Sequence, residues 1–403
     1  MSDDNTRWGR RRLLTGGGLA AGAALTGAGL LAGRQEQPPA AASVSEAAVG
    51  EATAAFHGPH QAGVATPPQA HAVFLALDLR RGTDRQGLAR MMRLLCDDAA
   101  RLTQGRAALA DTEPELAGRP ARLTVTFGFG PDLFAKLDLG GSPVRQLPKF
   151  GIDRLQTRWC GGDVLVQICS DDPVTVTHSQ RMLVKDARAF TTVRWLQRGF
   201  RRAAGADPAA MTQRNLLGQV DGTIQPADDV HDRALWVSDG PGWLHGGTTV
   251  VVRRIRAELE TWDAVDRGGK ELTIGRRLDT GAPLTGGGEH DPADYAAVDG
   301  LGLPVISQFA HIRRAHVADP ARRILRRPYN YDDGLTADGT PDTGLVFAAY
   351  QADIARQYLP VQQALAESDL LNEWTTPIGS AVFAIPPGCR PGGYVGQQLL
   401  DRT

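Results

Sequence analysis

The run HAVFLALDL at 71–79, together with the helical stripe just beyond it, constrains the fold of this 403-residue chain more than any other feature. It is compact and apolar, the pattern of a buried strand. Thr83-Asp84 then offers an N-cap, and Leu88, Met91, Met92, Leu95, Ala99 and Leu102 recur at helical spacing. RLTVTFGFG (122–130) alternates like a strand, and DVLVQICS (163–170) is another. Residues 174–189 read as a helix with Met182, Leu183, Ala187 and Phe190 along one stripe. TTVRWLQRGF (191–200) returns to strand. The order β-α-β-β-α-β is the ferredoxin-like arrangement, two helices on one antiparallel sheet.

The second half reads similarly. TTVVVRRIRAEL (248–259) is a strand, and ELETWDAV leads into a helix. LVFAAYQ (345–351) is a strand, ADIARQYLPVQQALAES (352–368) a helix and SAVFAIPP (380–387) a final strand. Between them, roughly 276–344 is irregular and rich in Gly, Asp and Pro. Loops that long inside a compact domain are usually functional. The expected fold class is α+β, two ferredoxin-like domains with antiparallel sheets and the chemistry in the second.

The length suits two domains with real cores, and 42% apolar with 22% charged residues is ordinary globular composition. A formal net charge of -1 gives no global case for nucleic acid. The basic block RRAHVADPARRILRR suits a solvated face or one small anion.

At the N-terminus, TRWGRRRLLTGGGLAAGAALTGAGLLAG pairs Arg10-Arg11 with a glycine-diluted apolar stretch. That pattern marks a twin-arginine export signal, expected over 1–42, with a stop-transfer anchor as the alternative. Export by that route implies a periplasmic or extracellular protein that meets the twin-arginine machinery and has no stable membrane span. It also favours a cofactor enzyme, because the route carries folded proteins. Residues 35 to about 55, rich in Ala, Pro, Glu and Ser, read as a tether. Cys96, Cys160, Cys169 and Cys389 form no CxxC pattern, and their apolar contexts suit plain buried thiols.

No P-loop, Rossmann glycine signature or nucleophile elbow is present, and GLTADGTPDTG lacks the spacing of a calcium loop. NLLGQVDGTIQP (215–226) places Asp221 in a glycine-rich turn. FAHIRRAHVADPARRILRRPYNYDDG clusters two histidines with arginines, whose like charge is expected to lower a histidine pKa and favour a neutral, metal-ready ring.

Several stretches in order resemble the dye-decolorising (DyP-type) haem peroxidases, particularly the exported deferrochelatase/peroxidase-like group. They include FHGPHQAGVATPPQ (56–69), CGGDVLVQICSDDP (160–173), RNLLGQVDGTIQP (214–226), IGRRLDTGAPL (274–284), AHIRRA (310–315), LRRPYNYDDG (325–334) and GLVFAAYQAD (344–353). The resemblance covers nearly everything after residue 55. It narrows the tether to 43–55 and implies domains at 56–205 and 206–403 in a dimeric α+β barrel-like arrangement. It also implies haem b in the second domain, hydrogen peroxide as substrate and a small aromatic or dye-like donor. Iron handling with iron-uptake partners is the alternative, and a cofactor-free ferredoxin-like binding module a third.

Carried over by motif, His311 would be the proximal iron ligand, with His316 as its rival. A hydrogen-bond acceptor for its other ring nitrogen is not apparent in the sequence. Asp221 and Arg326 would form the distal side, with Arg327 the neighbouring alternative. A carboxylate can shuttle a proton between peroxide oxygens, and a guanidinium can stabilise charge on the departing one. Gly222, Thr223 and Ile224 would lie against the haem, and Leu345 and Phe347 would wall the distal pocket. Trp236, Trp243, Trp262, Trp374 and Tyr350 are electron-relay candidates by residue type alone. Two departures stand out: Gln225 where many relatives have an Asn facing the distal water network, and Pro328 where Gly is common.

Overall fold

The computed structural model describes residues 46–208, 211–226 and 230–401. The expected signal segment at 1–42 lies outside them. The N-terminal half carries β1 (His71–Leu79), β2 (Thr124–Phe129), β3 (Val164–Ser170) and β4 (Thr191–Phe200). The C-terminal half carries β5 (Thr248–Ala257), β6 (Leu325–Arg326), β7 (Tyr329–Leu335), β8 (Pro341–Gln351) and β9 (Thr375–Ile385). The spatial orders are β2-β3-β1-β4 and β7-β8-β5-β9. In both, the half's first and third long strands lie in the centre, so one ferredoxin-like pattern occurs twice.

The two sheets join through single residue pairs, Phe129↔Ala384 and Phe200↔Asn330. These single contacts bring eight strands into a ring, closed at each seam by one residue pair. The two ferredoxin-like halves pack together, and residues 44–403 form a single compact unit.

Strand alternation sorts the ring's side chains into two cores. Phe74, Leu165, Trp195, Val250, Tyr329, Tyr350 and Phe383 cluster inside the barrel. Val73, Leu75, Val125, Phe127, Val166 and Ile168 face outward in the N-terminal half. There they pack with Leu88, Met91, Met92 and Leu95 of the helix Arg85–Leu102 and with Met182 and Leu183 of Pro173–Ala187. The Asp84 carboxylate accepts the Gly87 N–H at 2.7 Å, an N-cap worth about 1 kcal/mol.

Three sequence expectations need correction. The tether is not free over its described part: Glu46–Glu51 is helical, and the Gly50 and Ala52 carbonyls accept N–H bonds from Ala121 and Arg122. Those donors point outward because Ala121 and Arg122 adopt positive φ. Within 276–344, supposed irregular, lie β6, β7 and the short helix His311–Arg314. The helix expected over 352–368 begins as a π turn, Ile354–Tyr358, and becomes α-helical only at Leu359–Ser368. Pro360 explains the change, since it has no N–H for an i−4 carbonyl.

Candidate active site

The turn NLLGQVDG is a tight hairpin before it is anything chemical. The Asn215 carboxamide oxygen accepts the N–H groups of Leu217 (3.0 Å) and Gln219 (3.2 Å), and Gly218 takes φ +80° to close the turn. Trp262 donates its indole N–H to the Leu217 carbonyl at 2.9 Å, tying the hairpin to the helix Leu259–Asp263. Asp221 N–H bonds the Gln213 carbonyl at 2.8 Å, and Gly222 comes next with φ +132°. The anchored turn thus fixes the Asp221 carboxylate, which also accepts from the Asn215 amide at 3.3 Å.

Arg326 and Arg327 are separated by the period of the strand. Leu325↔Tyr350, Arg326↔Ala349 and Tyr329↔Val346 keep one register across the break between β6 and β7. Pro328 sits in that break, where its missing N–H removes no ladder bond. Arg327 points into the barrel, fully buried, and bonds the Thr66 carbonyl and the Gln69 side chain. Arg326 points to the outer face. Its guanidinium lies 3.3 Å from Asp221 and donates to the Ile224 carbonyl at 2.9 Å.

Gln225 has a different task from the one its position suggests. Its side-chain oxygen accepts the Arg326 N–H at 2.9 Å, and its NH2 donates to the Arg326 carbonyl at 3.1 Å. Each end of the amide bonds this backbone, which makes Gln225 a clamp on Arg326. Thr223 bonds Glu289 at 2.9 Å, and Arg276 donates to the Gly281 and Glu289 carbonyls at 2.6 and 2.8 Å. The DGT turn and the 276–289 loop are stitched together.

His311 supplies the third element. Its Nδ1 lies 2.6 Å from the Asp369 carboxylate, which also caps the turn Leu370–Glu373 through the Leu371 N–H. The Leu370 N–H bonds the Phe309 carbonyl, drawing the His311 loop onto the same turn. Nδ1 donates to the carboxylate, leaving Nε2 without a hydrogen bond from any described residue. Burial pulls the His311 pKa down, but Asp369 outweighs it and holds the ring above the ordinary histidine range. The lowering expected from nearby arginines is thus overturned, though Arg326 does act in that sense and Asp221 in the other. Both thus lie within electrostatic reach of His311. His316 is exposed, its ring 4.9 Å from that of Tyr295.

The outer sheet face beside these groups is apolar and only partly covered. Leu345 and Phe347 are half-buried, while Ile224 and Phe309 are 45% and 43% exposed. A histidine with a free Nε2, an uncovered apolar face and a carboxylate–guanidinium pair fit a haem held by His311.

Residues 61–201 match the family described as Dyp-type peroxidase, N-terminal, and residues 212–390 that described as Dyp-type peroxidase, C-terminal. The chain belongs to the DyP-type peroxidases. It is 40% identical to the dye-decolorizing peroxidase of Thermobifida fusca (strain YX), over 97% of each chain. It is 35% identical to a deferrochelatase of Escherichia coli O157:H7, over 97% of this chain and 96% of that one. The crystal structure of a DyP-type peroxidase from Cellulomonas bogoriensis superposes with a TM-score of 0.85 at 50% identity, covering 88% of this chain and 99% of that one.

This chain is accordingly a peroxidase of a haem-dependent family. Of the aromatic candidates in this peroxidase, Trp243, Trp262 and Tyr350 are core residues. Trp236 is half-buried and stacks on His60 with centroids 3.7 Å apart, and Trp374 meets Trp262 edge-on at 5.1 Å. Among the described residues no helix is long and apolar enough to cross a membrane.

Proposed function

We propose that the protein is an exported haem b peroxidase that reduces hydrogen peroxide and oxidises small aromatic or dye-like donors in one-electron steps. The observation that carries this reading is the Asp221–Arg326 pair at 3.3 Å, within electrostatic reach of a histidine whose Nδ1 is held by Asp369. His311 Nε2 would hold the iron, with Gly222, Thr223, Ile224, Leu345 and Phe347 against or around the macrocycle. The haem would supply the redox centre at which peroxide is cleaved.

The remaining work falls to the chain's own groups. The Asp221 carboxylate takes a proton from one peroxide oxygen and returns it to the other. The Arg326 guanidinium stabilises negative charge growing on the departing oxygen, and Gln225 fixes where that guanidinium starts. Asp369 keeps the His311 ring oriented. Arginines 10 and 11 would direct export by the twin-arginine route to the periplasm or beyond.

Peroxide-dependent oxidation of an anthraquinone dye tests the distal assignment. Asp221→Asn and Arg326→Leu should each lose nearly all turnover while keeping the haem spectrum. Full activity in both would remove these residues from the mechanism. The identity to a deferrochelatase favours a second reading, haem and iron handling for an uptake system. Release of iron with intact porphyrin would support it.

A further inference from the structure

The loop that runs from the helix Arg267–Ile274 to the helix His311–Arg314 touches both sides of the proposed haem site. Its first part meets the distal turn. The buried Arg276 guanidinium gathers the loop by donating to the Gly281 and Glu289 carbonyls at 2.6 and 2.8 Å. Gly281, at φ +71°, lies close against the turn: a Cβ there would stand 3.0 Å from the Val220 Cβ and 3.2 Å from Glu289 Cγ. The Thr223 hydroxyl donates to Glu289 Oε1 at 2.9 Å. Asp221 is thus flanked on each side by a residue this loop holds, Val220 by packing and Thr223 by a hydrogen bond.

Six positions beyond Glu289 the same loop meets the proximal side. The Tyr295 phenol donates to the Ile312 carbonyl at 3.1 Å, one residue after His311. A helix of four residues leaves its last carbonyls short of partners. The His316 N–H, which would continue the helix onto Ile312, bonds the Arg313 carbonyl at 3.3 Å and leaves that place to Tyr295. Arg313 adds a second tie, donating to the Ile306 carbonyl at 3.0 Å with its guanidinium 5.8 Å from the Tyr295 ring centroid. Between the two contacts the loop is pinned to itself. The Asp291 carboxylate accepts the Gly288 N–H at 2.7 Å, and the Thr285 hydroxyl accepts the Asp294 N–H at 3.2 Å.

We propose, resting on the haem reading above, that Glu289 and Tyr295 are positioning residues and that the loop joining them is a bracket setting the Asp221 turn against the His311 helix. Glu289 acts on the distal carboxylate through Thr223, and Tyr295 acts on the proximal ring through the Ile312 carbonyl. Displacing a reacting group by about 1 Å can cost about 10²-fold in rate, so contacts outside the reacting centre can govern it. Burial pushes the Tyr295 phenol up, which keeps it a donor.

Cyanide binding to the ferric holoenzyme, followed at the Soret band from acid to neutral pH, tests the distal arm without turnover. Hydrogen cyanide must pass its proton to a distal group as the anion reaches the iron, so the pH midpoint of the binding rate reports how Asp221 is placed. Glu289→Leu should slow binding about tenfold and move that midpoint. Glu289→Gln, whose amide oxygen still accepts the Thr223 hydroxyl, should restore both. Thr223→Val should reproduce Glu289→Leu, and the double variant should add nothing further. Tyr295→Phe should leave the midpoint in place and speed haem loss to apomyoglobin about tenfold. Additive effects of Glu289→Leu and Thr223→Val, or an unmoved midpoint in both, would overturn the bracket, as would haem loss at the wild-type rate in Tyr295→Phe. A wild type with no Soret band would instead defeat the haem reading. Amide exchange across residues 214–226 then decides the bracket: faster in Glu289→Leu than in wild type if it holds, equal if it does not.

Discussion

The outer face of the N-terminal sheet is sealed by two helices of 18 and 15 residues, Arg85–Leu102 and Pro173–Ala187. In the C-terminal half the first crossover has Arg267–Ile274, of eight residues, and then a long loop, and the second has the ten-residue helix Leu359–Ser368. The strand order is the same in both halves. The difference lies in what covers it: Val73, Leu75, Val125 and Ile168 are fully buried, whereas Leu345 and Phe347 are not. Exposed apolar surface costs about 25 cal/mol per Å², so an open apolar face is a strong reason to expect a ligand. One half uses its surface for stability, and in the proposed function the other keeps it for a macrocycle.

The largest effect should separate two neighbouring arginines. Arg326→Leu should lower kcat/KM by about 10²–10³ with little change in melting temperature. Arg327→Leu should do the reverse, because its charge serves the barrel interior. If Arg327→Leu abolished turnover in folded protein, the two sheet faces would not divide the arginines in this way.

Next in size is Asp369→Asn. An amide cannot hold the His311 N–H as a carboxylate does, and haem affinity should fall by about 10–100-fold. Titration of apo-protein with hemin would measure it, and unchanged affinity would make the 2.6 Å contact incidental.

Core truncation sharpens the contrast between halves. Leu95→Ala in the sealed half should cost about 2–5 kcal/mol by denaturant unfolding, with haem affinity unaltered. Phe347→Ala should cost less stability but speed haem loss to apomyoglobin. Equal haem loss in both variants would argue that Phe347 does not border the cofactor.

The smallest effect concerns pH. Burial, then the hydrogen bond and charge of Asp98, raise the Asp186 carboxyl to about 7. The folded form therefore binds more protons than the unfolded chain between the ordinary carboxylate range and about 7. Stability from this pair is highest in acid and declines as pH rises towards 7. Asp186→Asn should flatten that slope, a shift of about 2 °C in melting temperature between pH 5 and 7. An unaltered slope would show that Asp186 titrates like a surface acid.

The long apolar runs made most strands legible, and the helical stripe from Leu88 to Leu102 is buried throughout. Strand β7 was hidden because Asp332, Asp333 and Gly334 look like a turn, and only the pairing of Asp332 and Leu335 with β8 on either side of a bulge carries the strand through them. The motif residues Asp221, Arg326 and His311 could be named from sequence. Asp369 could not, because it meets His311 across 58 positions and looks locally like an ordinary cap. Gln225 was visible as a departure, but not as a clamp, since its partner is backbone on a distant strand.

The central claim is that the open face of the second half is a haem site anchored by His311. The absorption spectrum of wild type beside His311→Ala, with circular dichroism on both, tests it most directly. The expected result is a high-spin ferric Soret band in wild type that is lost or strongly shifted in a normally folded variant. An identical spectrum in both proteins would contradict it.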